Sequence, residues 1–399
     1  MKNLLIMTSG YCGKATANGL CAQALVEALE KENICVHVVS CEPVLPQTNP
    51  DGRALAVQCQ PPKAVRTCHR FLGKLWNRIM RMLRYTWIPE YDKQTVERLV
   101  EAAGGVCRRT KIDGIICMFF PLETVVAGWL LKKQFTDIPL LVYELDSVTD
   151  GIGGSGRWNW DILFAYRRYM DSIYKTVDCI MVLKCHEECW LREQSRHAKR
   201  MRIVDLPLIF PANLPLVKKS RAQTQLLYAG ELSLGYRSPR KLLAACHLVK
   251  EPYQLHFYSK GCEDLLREEQ EKNDRIYCHG YVSRSTLSAA VAEADIMLSV
   301  GNQVSNSLPS KIITYMSYGK PIIHYSLQPD DVCKEYLKRY PLALVLEWDT
   351  GVELAALRIA EFMRDFAERR VPFDAVAELF PMNLPYYSVS IIRECTEQG

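Results

Sequence analysis

Ser305, Ser307, Ser310 and Lys311 gather where a polar Asn/Ser/Pro loop meets the apolar spacing Ile312, Ile313, Tyr315, Met316. That spacing predicts a helix opening near Ser310 and stopping at Gly319, between the buried strands DIMLSV and PIIHY. A helix start leaves backbone N–H groups unpaired and carries the positive end of the helix dipole, so with a lysine beside it the site suits a diphosphate. The same serines would serve equally as ordinary helix caps.

Other residues able to do chemistry are scattered. Glu144 and Asp146 close the strand IPLLVYELDSV, where open α/β sheets keep their ligand groups, although a carboxylate there can also cap the next turn. His279 and His324 lie near strand ends, where local packing is the plainer reading. The run KCHEEC, with Cys185, His186 and Cys189, has no second ligand pair at zinc-site spacing, so no metal is expected.

Between Lys63 and Pro89 the bases Arg66, Arg70, Lys74, Arg78 and Arg81 recur every three or four residues, with Phe71, Leu72, Leu75, Trp76, Ile79 and Leu83 between them. No acid occurs from Asp51 to Glu90. This predicts a basic amphipathic helix over about 64–85, suited to an anionic membrane surface at up to ~1 kcal/mol per basic residue. Nucleic acid is not expected, since no reading motif accompanies the charge.

A chain of 399 residues with 48% apolar content and a net charge of +5 can fill two cores and carries no strong overall field. Its 16 cysteines sit mostly singly in apolar segments, as buried thiols do in a reducing cytosol. The opening MKNLLIMTSG reads as a first strand and not a leader, and no apolar run reaches the ~20 residues of a membrane span.

In chain order, NLLIMT, a glycine loop with Gly10, Gly13 and Gly19, a helix with Leu20, Ala24, Leu25, Ala28 and Leu29, and ICVHVVS form a βαβ opening. The glycines lack G-x-G-x-x-G spacing, and residues 42–62 read as an irregular loop. Strands and helices then alternate to RMRIVDLPLI, and a proline-rich linker follows. A second alternating series runs from QLLYAG, and two helices, ELAALRIAEFMRDFAERR and LPYYSVSIIREC, close the chain.

The expected domains are 1–205, a linker at 206–222, 223–380, and a last helix in 381–399 crossing back to the first domain. Two parallel-sheet domains would face each other across a cleft.

The stretches YAGELSLGYRSPRKLL, YCHGYVSRSTLSAAVAEADIMLSV and NSLPSKIITYMSYGKPII resemble the donor domain of the GT-B glycosyltransferases. They are most similar to the retaining, metal-independent family 4-like group that uses nucleotide-sugar donors. The resemblance implies a GT-B fold of two Rossmann-like domains, with a nucleotide-sugar as substrate and no cofactor. The donor would be UDP-linked, with guanosine as the alternative base. The acceptor would be a saccharide or lipid-linked saccharide of a cell-surface polysaccharide, met in the cytoplasm or peripherally on the inner membrane face.

The resemblance further implies a diphosphate on the helix beginning at Leu308, Ser310 and Lys311, with Arg237 and Lys241 supplying charge and Gly13, Gly230, Tyr281, Val282 and Ser307 lining the donor site. Arg237 and Lys311 would act catalytically, and Asp146 would face the acceptor and serve as base if the transfer inverts. The family's pair of glutamates falls on Asn306 and Thr314, which offer only an amide and a hydroxyl. That departure motivates an alternative, a non-catalytic GT-B scaffold. A sugar-nucleotide epimerase would instead need His279 or His324 in the cleft.

Overall fold

A computed structural model describes residues 2–11, 16–42, 51–57, 89–146, 157–211, 222–303 and 308–397. The expected basic helix at 64–85, with Arg66, Arg70, Lys74, Arg78 and Arg81, lies outside these residues, as do Gly13, Asn306 and Ser307. The chain divides into two compact units, Met1–Pro207 with Pro385–Gly399, and Leu208–Leu384.

In the first unit, β1 (Asn3–Thr8), β2 (Cys35–Ser40), β3 (Ala54–Ala56), β4 (Gly114–Phe119), β5 (Leu140–Glu144), β6 (Cys179–Leu183) and β7 (Met201–Val204) form one parallel sheet in the order β3-β2-β1-β4-β5-β6-β7. Helices α1 (Ala17–Lys31), α2 (Lys93–Arg109), α3 (Leu122–Gln134), α4 (Arg157–Tyr174) and α5 (Glu187–Gln194) connect the strands. The central strands β4, β5 and β6 are buried along their whole length, which is why they read as unbroken apolar runs. Thr16 caps α1 by accepting the Gly19 N–H at 3.1 Å, and Asp92 caps α2 through Gln94 at 3.1 Å.

Two expectations need correction here. The stretch 42–62 is not wholly irregular, because Ala54–Ala56 pairs with β2 as an edge strand. The run RMRIVDLPLI is a strand only to Val204, since the Asp205 carboxylate takes the Leu206 N–H at 2.8 Å and Pro207 has none to give.

The second unit holds β8 (Thr224–Glu231), β9 (Tyr253–Lys260), β10 (Ile276–Cys278), β11 (Ile296–Val300), β12 (Ile322–Tyr325) and β13 (Ala343–Leu346), parallel in the order β10-β9-β8-β11-β12-β13. Its helices are α6 (Arg240–Leu248), α7 (Glu263–Lys272), α8 (Arg284–Glu293), α9 (Ser310–Ser317), α10 (Cys333–Arg339), α11 (Val352–Phe366) and α12 (Phe373–Leu379). Buried Lys320 donates to the carbonyls of Val291, Ala292 and Ala294, so an ammonium satisfies the end of α8.

The last helix, α13 (Pro385–Glu397), belongs to the first unit. Ser388 Oγ meets Tyr143 Oη at 2.9 Å on β5, and Glu397 pairs with Lys2 at 2.8 Å.

Candidate functional site

Strand order reverses in the second unit between β8 and β11, the adjacent strands from which the chain departs to opposite sides. Ligands of open α/β sheets bind at the carboxyl ends of such a pair. The residues found there are Arg237 after β8, and Asn302 and α9 after β11.

β8 runs out through Gly230, whose φ of +155° is one that a residue with a side chain rarely adopts. The chain then doubles back in a tight loop, with the Arg237 N–H on the Ser233 carbonyl at 2.8 Å. The Arg237 guanidinium is half-buried; Nε donates to Asn302 Oδ1 at 2.7 Å and Nη1 to the Glu231 carbonyl at 3.3 Å. Tyr228 Oη donates to the same carbonyl at 3.0 Å, and burial pushes that phenol up to about 12.

Helix α9 begins after Pro309 and has no side-chain cap bond. Ser310, expected as a possible cap, is instead the first helical residue. Among the described residues no side chain caps the first turn, where the Ile312 N–H bonds the Pro309 carbonyl at 3.0 Å. Tyr315 fixes the helix against β8, its hydroxyl donating to the Ala229 carbonyl at 2.9 Å and accepting the Ala229 N–H at 3.0 Å.

Lys311, also half-buried, has no hydrogen-bond or ion-pair partner among the described residues. Burial, and then the charge of Arg284, hold its ammonium below the usual lysine range. Among the described residues here, Lys311 is a cation whose counter-charge the protein does not supply.

The other expected donor residues differ from one another. The ammonium of Lys241 is engaged by the Trp348 carbonyl. Thr314 donates its hydroxyl proton to the Ser310 carbonyl at 3.2 Å, which leaves its oxygen only as an acceptor. Leu308 and Val282 are half-buried, while Tyr281, after the left-handed Gly280 (φ +66°), is 73% exposed.

The candidate histidines are held elsewhere. His324 is fully buried, with Nδ1 on Ser299 Oγ at 3.1 Å and Nε2 on Asp331 Oδ2 at 2.9 Å, and the Cys333 N–H reaches Asp331 Oδ1 at 3.0 Å. Burial would raise the Asp331 carboxyl, but the hydrogen bond and charge of His324 outweigh it and leave it below the usual range. The side chains of His324, Asp331 and Cys333 come within 4.8 Å of one another, and their polar atoms are already spent on each other. Cys185, His186 and Cys189 join no such cluster among the described residues. His279 stacks on Tyr258 at 4.3 Å and meets His256 Nδ1 at 3.0 Å.

In the first unit, Asp146 stands just past the end of β5, exposed on its surface yet crowded enough that desolvation raises its carboxyl above the ordinary value. Glu144, two residues earlier, is buried and accepts from the Tyr174 hydroxyl; burial pushes its carboxyl up to about 8, with the Trp190 indole pulling the other way. Glu144 faces the core and not a ligand.

Sequence reasoning missed Asn302 and the Asp331 partner of His324. A polar residue directly after a buried strand, as in SVGNQ, was the available signal for Asn302.

Residues 223–350 match the family model for glycosyl transferases group 1. A glycosyltransferase from Rickettsia africae ESF-5 is similar over 100% of this chain and 99% of its own, with a TM-score of 0.68 at 10% identity. The lipopolysaccharide outer core galactosyltransferase WaaB, in its apo form, is similar over 100% and 99%, with a TM-score of 0.57 at 12% identity. A UDP-N-acetylglucosamine 2-epimerase is similar over 97% and 92%, with a TM-score of 0.52 at 13% identity. No curated protein sequence matches the chain.

The two parallel-sheet units therefore have the GT-B fold. Within that fold, residues 223–350 of the second unit match the model for glycosyl transferases group 1.

Proposed function

We propose that this protein transfers a sugar from a nucleoside-diphosphate sugar, UDP-linked in the first instance, to a saccharide or lipid-linked saccharide acceptor of a surface polysaccharide. The observation that carries this reading is the pairing of half-buried Lys311, unpartnered among the described residues, with the start of α9, which no side chain among them caps, at the β8/β11 switch point, inside the segment matching group 1. Departure of the diphosphate builds negative charge that the acceptor attack must await. The half-buried Lys311 ammonium, the Arg237 guanidinium and the positive end of α9 would stabilise that charge without a metal.

In a retaining transfer the departing phosphate takes the acceptor hydroxyl proton and no protein base is required. Asp146 is the candidate base for an inverting one.

An epimerase on the same fold is disfavoured, because neither histidine is presented at the switch point. His324 is sealed in the core and His279 is stacked in a ring ladder.

A thermal-shift panel tests the donor class. UDP or GDP should raise the melting temperature while the parent nucleosides leave it unchanged, since the site reads the diphosphate. Equal shifts from nucleoside and nucleoside diphosphate, or none from either, would contradict it.

No helix among the described residues is long and apolar enough to cross a membrane. The basic stretch with Arg66, Arg70, Lys74, Arg78 and Arg81 supports a cytoplasmic enzyme riding on an anionic bilayer to reach its acceptor. Replacing all five with glutamine should abolish sedimentation with anionic vesicles, and unchanged sedimentation would remove this part of the proposal.

A further inference from the structure

We infer that Asn302 is a positioning residue that aims Arg237 at the donor diphosphate while leaving its charge unneutralised. The inference rests on the diphosphate reading above and concerns how the site is preorganised.

A long arginine side chain loses rotamer freedom when it binds, so one that must meet an anion in a fixed orientation gains from being held beforehand. Two acceptors hold this one, Asn302 Oδ1 on Nε and the Glu231 carbonyl on Nη1. A guanidinium has five N–H groups. With those two bonds made, and the Tyr228 hydroxyl also in hydrogen-bond contact with the guanidinium, two N–H groups remain for a phosphate.

Asn302 is itself firmly set. Its side chain is buried at 2% exposure, and the N–H groups of its neighbours Gly301 and Gln303 bond to the Tyr325 and Tyr236 carbonyls, each at 2.9 Å. A Cβ on Gly301 would lie 2.1 Å from Asp331 Oδ2, the oxygen that also meets His324 Nε2 at 2.9 Å. The buried His324–Asp331 pair thus packs under Gly301 and fixes the backbone from which Asn302 projects. A cluster unsuited to touching substrate thereby gains a role in holding the residue that orients Arg237.

The choice of an amide has a consequence. A carboxylate at this position would hold the guanidinium more tightly but would cancel the charge the diphosphate needs. An amide orients without neutralising.

The test is UDP binding by calorimetry on the full chain, with melting temperatures confirming folding of each variant. Asn302→Ala should weaken UDP about tenfold and uridine hardly at all, and should cost nothing further in an Arg237→Ala background. Asn302→Asp, close in shape, should weaken UDP about as much or more despite its stronger bond to Arg237, and adding salt should narrow its gap from the wild type. Wild-type affinity in Asn302→Asp, or a loss in Asn302→Ala that simply adds to that of Arg237→Ala, would overturn the inference. UDP binding lost in Arg237→Ala but intact in both Asn302 variants would overturn it alone, whereas a wild type that binds no nucleoside diphosphate would fell the proposed function and this inference together.

Discussion

The two units share one strand order over six strands, the first adding a seventh at its edge, and their strand ends carry opposite chemistry. In the first, β5 closes on Glu144, buried against Tyr174, and on exposed Asp146. In the second, β8 and β11 lead to Arg237, Asn302 and Lys311, with a guanidinium held in place and an ammonium that has no partner among the described residues. A parallel sheet provides the place for a ligand, and the residues beyond the strand ends decide its sign. In the first unit burial favours the neutral form of Glu144, whereas the second presents basic side chains beyond its strand ends.

The contrast can be broken first at Glu144, where the largest effect on stability is expected. Its carboxyl is raised from 4.5 to about 8 in the folded protein. The folded state therefore holds its proton more tightly than the unfolded chain, and the stability this contributes is full below about pH 4.5 and is lost as the pH rises to about 8. The size is on the order of 5 kcal/mol. Glu144→Gln keeps an acceptor for Tyr174 and removes the titration, so denaturation midpoints across pH 5 to 9 should be flatter than in the wild type. A wild-type slope retained by the variant would show that Glu144 is charged in the fold.

A smaller effect is expected at Gly319, which ends α9 in the second unit. Its φ of +65° is left-handed, and a Cβ there would lie 2.2 Å from the Val371 carbonyl. Gly319→Ala should destabilise the protein by about 1–3 kcal/mol and weaken UDP binding by displacing the helix. An unchanged melting temperature would show that the turn relaxes freely.

The alternation of strand and helix was legible because buried parallel strands leave continuous apolar runs and helices leave a 3.6-residue spacing, as NLLIMT and LETVVAGWLLKKQ show. The bounds of α9 were legible to within a residue of Ser310 and two of Gly319, since a helix needs a start signal and glycine readily ends one. The edge strand Ala54–Ala56 was not, being only three residues long. Neither was β13, whose ALVL run has too few residues to separate strand from buried helix.

At the site, residue types were readable and pairings were not. Arg237 and Asn302 meet across 65 positions of sequence, Lys241 ends on the carbonyl of Trp348, and His324 turns inward to Asp331. Long-range contacts of this kind follow from the sheet order, which local spacing does not encode.

Lys311, unpaired among the described residues, is proposed to meet the donor diphosphate. UDP affinity measured by calorimetry for the wild type and for Lys311→Ala, both shown to be folded, addresses it directly. The account predicts a loss of about 30-fold or more, as expected for removing a charge-assisted contact from a partly buried site. Equal affinities would contradict it.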